Sequence, residues 1–332
     1  MLPTDFPELP GPKRDAVIID HVRQGDYAID WATVTSDIPG HHAEFRVFGD
    51  AFKIGGVRIT MSAFLMQTVA DMLGCSLLTT RLLDLMFAQR TVKLVPHTQT
   101  PDASMVTTKV MVEQSEWIDG QIAAAGAPQG IVQTVGKVWA ISNIFATNPA
   151  THGRALNYGN HFLGTFQGHT WSPSETLPGV RVIQPLSWAH GIQEVDYSQN
   201  CLLVARTCLV DGVSRDFWDV VREPALATLA TPGSPLTVLR QPGVPQAPFV
   251  GRTPPCVGPS CPQNVVWQPG EEGPSAPRPA AVIAGAIALA TTVGGFLGGL
   301  ALMGPRRARP MVDPRARGRD ARGHGRSRGV FG

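Results

Sequence analysis

Residues 1–228 predict an α+β domain with a mixed or antiparallel sheet and interspersed helices. Two patterns carry that expectation. Apolar residues alternate along short runs such as AEFRVFG (43–49) and recur at helical spacing in SAFLMQTVADMLG (62–74). The two patterns also follow one another without the regular β-α rhythm of a doubly wound sheet. No period of 20–50 residues repeats, which argues against a solenoid.

In chain order, the first forty residues read as irregular, with turn signals at Pro10–Gly11 and Pro39–Gly40. AEFRVFG and AFKIGGVRIT (51–60) read as a β-hairpin turning at Gly49–Asp50. The helix over 62–74 stops at Gly74, and Thr79 or Thr80 caps a second one, RLLDLMFAQ (81–89), packed by Leu82, Leu85 and Met86. The chain turns at AGAPQG (125–130). VWAISNIF (138–145) and VRVIQ (180–184) read as strands, the latter broken at Pro185. CLLVARTCLV (201–210) is a further strand, closed by Asp211–Gly212, and RDFWDVVRE (215–223) returns to helical spacing.

The remainder divides into three regions. Residues 229–279 read as a disordered Pro-rich linker, since 13 of the 48 residues from Pro232 to Pro279 are proline. Residues 280–303, AAVIAGAIALATTVGGFLGGLALM, carry no charge and as a helix would run about 36 Å, enough for one transmembrane span in a bilayer. Gly294/Gly298 and Gly295/Gly299 form small-xxx-small pairs suited to homo-oligomer contact in the membrane. Residues 304–332 form a basic Arg/Gly-rich tail with nine arginines and two aspartates, so the net charge of +2 conceals a tail near +7. Such a tail suits anionic lipid better than nucleic acid.

The expected localisation is a single-pass membrane protein. The positive-inside rule places the tail in the cytoplasm, yet MLPTDFPELPGPKR at the start has no apolar signal-peptide region, so the side of the domain stays open. Cys256 and Cys261 have the spacing of a small loop disulfide or of two unpaired thiols. Cys75, Cys201 and Cys208 sit among apolar residues, as core cysteines do.

No phosphate-binding glycine loop is present, because IGGV (54–57) fits neither GxGxxG nor GKS/T. HExxH, GxSxG and DxDxDG are absent as well, and neither a cofactor nor a metal is implied. His152, His161 and His169 lack tight ligand spacing. Two polar clusters remain, NYGNH (157–161) and the stretch from SWAHG (187–191) to DYSQNC (196–201), both expected as loops beside strands. His161 and His190 would supply acid/base function and Asp196 would orient them. Ser198, Tyr197 or Cys201 would give the nucleophilic or transition-state contact. Each has a structural alternative: a hydrogen-bonded buried histidine, a turn residue, a backbone cap, or a tyrosine hydroxyl seeking a partner.

ALNYGNH (155–161), IQPLSWAHG (183–191) and VDYSQNCLLVARTCLVDG (195–212) together resemble an uncharacterised bacterial protein family, over residues 45–235. Its members read YGWH, then PLSxxHG, then DYSHG with RLV. Asn160 stands in place of the family's Trp, Gln199–Asn200 in place of His–Gly, and Leu203 in place of Arg. The resemblance implies no reaction. A slighter likeness to L,D-transpeptidases, whose nucleophile lies in SHGCxR, rests on Ser198 and Cys201 alone.

The leading expectation is therefore a membrane-anchored domain with hydrolase-like, histidine-based chemistry on cell-envelope polymer. The alternatives are a non-enzymatic binding or structural envelope protein, and a basic tail that binds anionic lipid or nucleic acid.

Overall fold

The computed structural model describes residues 1–99, 101–165 and 170–250. An N-terminal helix α1 (Pro12–Gln24) begins with proline in its first turn, buries Arg14, Ile18 and Val22 on one stripe, and ends at Gly25 with φ 76°. The hairpin that follows pairs β1 (Trp31–Ile38) with β2 (His41–Phe48), Ile38 opposite His41. It turns at Pro39–Gly40, where Gly40 adopts φ 85°, and not at Gly49–Asp50 as the alternation suggested. Gly49 instead marks a close approach: a Cβ there would lie 2.9 Å from the Ala32 Cβ and 3.0 Å from the Gly130 carbonyl oxygen. β3 (Lys53–Ile54) and β4 (Val57–Arg58) form a separate two-stranded piece around Gly55–Gly56.

Helix α2 (Ala63–Met72) is capped by the Ser62 hydroxyl, which accepts from the Leu65 N–H at 3.2 Å. β5 (Cys75–Thr79) runs directly into α3 (Thr80–Ala88), capped by Thr79, and α4 (Thr108–Ala124) is capped by Thr107. Then come β6 (Lys137–Ile141), the short α5 (Ile144–Thr147), β7 (Asn157–Leu163), β8 (Ser172–Pro173) and β9 (Val180–Ser187), which continues through Pro185. The hairpin of β10 (Leu203–Val210) and β11 (Val213–Asp216) leads into α6 (Phe217–Arg222).

The main sheet has the order β1-β2-β10-β5-β6-β7-β9-β8, with β11 also on β10. β5 and β6 are parallel and the other pairs antiparallel, so the sheet is mixed and the α+β expectation stands. Phe45, Leu65, Leu77, Trp139, Val204 and Phe217 lie in one continuous buried core. The chain does not leave this core at residue 229. Leu236 and Leu239 are buried in it, and the Leu236 N–H donates to the Val221 carbonyl at 2.8 Å.

The membrane part of the sequence reading is corrected. Among the described residues no helix is long and apolar enough to cross a membrane. The single-pass chain, its localisation, its bilayer partner and the membrane-anchored hydrolase all needed such a helix, and the described residues supply none to carry them. The stretch 280–303 with its small-residue face, the tail 304–332 and the Cys256–Cys261 pair lie outside the described residues.

Candidate functional site

The sequence places His161, His190 and Asp196 in one prospective site, and the structure gives each its own partners. His161 belongs to a buried cluster built on Asp84. Helix α3 carries Asp84 on its covered side, and the carboxylate is fully buried. The His161 Nε2–H donates to Asp84 Oδ1 at 2.7 Å and the Tyr158 hydroxyl donates to the same oxygen at 2.8 Å. The other oxygen accepts from the Thr176 N–H at 2.8 Å and the Thr176 hydroxyl at 2.6 Å.

An unbroken strand would send residues 158 and 161 to opposite faces, because strand side chains alternate. β7 avoids this with a register shift between Asn157 and Gly159, where Gly159 takes φ 139° and Asn160 φ 58°. Glycine is required at 159, since a Cβ would lie 2.9 Å from the Gly136 carbonyl oxygen. NYGNH is thus a bulged interior strand and not the loop expected.

Burial alone would raise the Asp84 carboxyl, but bonds from His161, Thr176 and Tyr158 more than offset it, and the group titrates below the ordinary carboxylate range. Burial, and then the Asp84 charge, push the Tyr158 phenol far above its usual value. The Phe87 ring stacks on His161 at 5.3 Å, closing the imidazole off further.

Asp196 lies at a second cluster. Its Oδ1 accepts from the Ser198 N–H at 2.8 Å and the Ser198 hydroxyl at 2.6 Å, the pattern of an Asx turn. Its Oδ2 meets the Lys137 ammonium at 2.8 Å. Burial raises this carboxyl, while Lys137 and Ser198 bring it below the ordinary range. The Lys137 N–H donates to the Ser198 carbonyl at 2.7 Å, and the Asn200 N–H donates to the Lys137 carbonyl at 2.9 Å. Residues 198–200 therefore dock as an extra strand piece against β6. Gly136 permits the docking, because a Cβ there would sit 2.3 Å from the Ser198 carbonyl oxygen.

The other candidates are similarly engaged. The Tyr197 hydroxyl accepts from the Gln99 N–H at 2.8 Å. Cys201 is fully buried, and burial raises its thiol well above the usual value, the direction opposite to a reactive cysteine. His190 is half-buried at the loop after β9, its ring edge-on to the Trp139 ring at 5.9 Å and its Nδ1 3.0 Å from Glu194 Oε2. So His161 bonds Asp84, His190 bonds Glu194, and Asp196 bonds Lys137 and Ser198. No hydrogen bond joins any two of the three.

Sequence reading missed Asp84, Thr176 and Lys137. One signal for Asp84 was present: it is the acidic residue inside the apolar run LLDLMF (82–87). Another buried carboxylate, Asp50, is met by Arg58 Nη2 at 2.6 Å and Lys53 Nζ at 2.8 Å, and Arg58 also reaches Asp119 at 2.7 Å, tying β4 to α4. A cavity of about 10 Å³ beside this pair has room for about one water. A larger cleft of about 220 Å³ lies between His41, Asp211, Arg215 and Glu223. Neither is lined by any of the six candidate residues. Among the described residues no group of three or more His, Cys, Asp or Glu is placed to hold a metal ion. No family model, no curated protein and no solved structure matches this chain.

Proposed function

We propose that this chain is a non-enzymatic binding or structural domain whose polar clusters are internal struts. The observation that supports this reading is the state of the best acid/base candidate: His161 is 2 % exposed and its Asp84 partner 0 %. A general base must come within about 3 Å of a substrate proton. Here the positions around the imidazole and carboxylate are taken by Tyr158, Phe87 and Thr176. Ser198 reinforces the point, since its hydroxyl donates to Asp196, and among the described residues no histidine is hydrogen-bonded to it to take the proton.

The resemblance of residues 45–235 to an uncharacterised bacterial family enters this proposal in the same sense. Tyr158, Gly159 and His161 build the Asp84 cluster, while Asp196 and Ser198 form the turn ahead of β10. We read these motif positions as requirements of the interior and not of a reaction.

The test is labelling of the native chain with a fluorophosphonate and with iodoacetamide. Ser198 and Cys201 are expected to stay unmodified until the protein unfolds. Stoichiometric labelling of either residue in the folded protein would overturn the proposal.

A further inference from the structure

The segment formed by residues 170–179 covers the Asp84 cluster, and its attachment differs in kind from that of the elements around it. None of these ten residues is buried. They are tied down by polar contacts: Thr176 to Asp84 through N–H and hydroxyl, at 2.8 and 2.6 Å, and the Glu175 N–H to the Tyr158 hydroxyl at 2.9 Å. The Thr80 hydroxyl donates to Glu175 Oε2 at 2.5 Å. Two residues of β8 pair with β9, and the Arg181 guanidinium lies 3.7 Å from the Trp171 ring centroid.

Beneath this cover, Asp84 and Tyr158 are 0 % exposed and His161 2 %. The cluster is therefore closed from this side by a segment that buries none of its own residues, Leu177 being half-buried. At its far end Gly179 takes φ 78° with open space around it, the kind of position that absorbs a backbone swing. Segments with few buried apolar contacts open locally well before the core does.

We infer that residues 170–179 are a lid that opens as a local unit, with the Thr176–Asp84 contact as its latch. Glu175 is drawn two ways: partial loss of water raises its carboxyl above the ordinary range, the Thr80 hydroxyl opposes this by holding the ionised form in the closed lid, and the Asp84 charge adds to the rise. The inference is independent of the binding reading above, because a lid over Asp84 would regulate a binding surface as readily as it would seal a strut.

Hydrogen exchange on the full chain across a urea series tests it. The Glu175 and Thr176 amides are expected to exchange through an opening that urea barely affects. The Ala140 amide, bonded to the Leu156 carbonyl at 2.8 Å in the middle of the sheet, should exchange only on global unfolding. Thr176→Val removes one bond to a charged acceptor and should speed exchange at 175 and 176 roughly tenfold, leaving Ala140 unchanged. Thr176→Ser should restore the slow rate. His161 should become reactive to diethylpyrocarbonate in the valine variant below its unfolding transition. If the lid amides and Ala140 share one urea dependence in the unmodified chain, the lid does not exist. That comparison decides the matter even where Thr176→Val fails to fold.

Discussion

Asp84 and Asp196 are both covered carboxylates held below the ordinary range, yet they are held by different means. Asp84 gathers donors from β7 and the lid, at sequence separations of 74, 77 and 92 residues. Asp196 takes two of its bonds from Ser198, two residues on, and a third from Lys137. The first carboxylate joins three distant parts of the chain, whereas the second shapes a local turn and pins it to one strand. The difference teaches that histidine, tyrosine, serine and aspartate in short strings do not by themselves report chemistry. What separates a catalytic group from a strut is whether its lone pairs and protons are already committed inside the fold.

The largest effect should follow from removing Asp84. Asp84→Ala leaves the buried His161 and Tyr158, and the half-buried Thr176, without their common acceptor, and should cost about 3–5 kcal/mol in urea unfolding. A loss near 1 kcal/mol would show that the cluster is not the keystone it is taken for. Acid gives the complementary reading. The folded pKa of Asp84 is depressed, so its contribution is present above the unfolded value of about 3.9 and is lost as pH falls through the folded value. Asp84→Asn should accordingly flatten the acid side of the stability profile. Glu175, shifted upward, acts in the opposite sense and should be replaced by glutamine in the same background when the slope is assigned.

Lys137→Met should have a smaller effect, about 2 kcal/mol by the same measurement. It removes one charged partner of Asp196 but leaves both bonds from Ser198, and the carboxylate, 14 % exposed, has access to water. An effect as large as that of Asp84→Ala would erase the distinction between keystone and turn.

How much of this was legible follows the same division between local and distant. The helix over 62–74, the helix that Thr79 or Thr80 was expected to cap and the strand before Asp211–Gly212 are local signals and were readable, whereas the Ser62 cap and the choice of Thr79 came from the structure. Helix α4 carried readable spacing as well, with Val110, Gln114 and Ile118 on one buried stripe, but its polar residues obscured it. β7 was not readable, because Asn157, Gly159 and Asn160 are poor strand formers and only the register shift against β9 makes a strand of them. The same holds for the site. His161 and Asp196 were visible as polar residues among apolar ones, while their partners Asp84, Thr176 and Lys137 are fixed by tertiary contact alone.

The smallest effect belongs to His190, which in the sequence stood level with His161. Its contact with Glu194 spans four residues within one loop, and Glu194 is 57 % exposed. Such pairs contribute little because water competes for both partners. His190→Ala should therefore change unfolding free energy by about 1 kcal/mol, mostly through the lost edge-on contact with the buried Trp139 ring, against the several kcal/mol expected at Asp84. The substitution also isolates the binding reading. Trp188, which is 37 % exposed, together with the half-buried edge of His190 forms the surface on which loss of binding with little loss of stability is expected. If His190→Ala instead destabilised the chain as strongly as Lys137→Met, the loop would be a third strut and the search for a partner surface would have to move away from it.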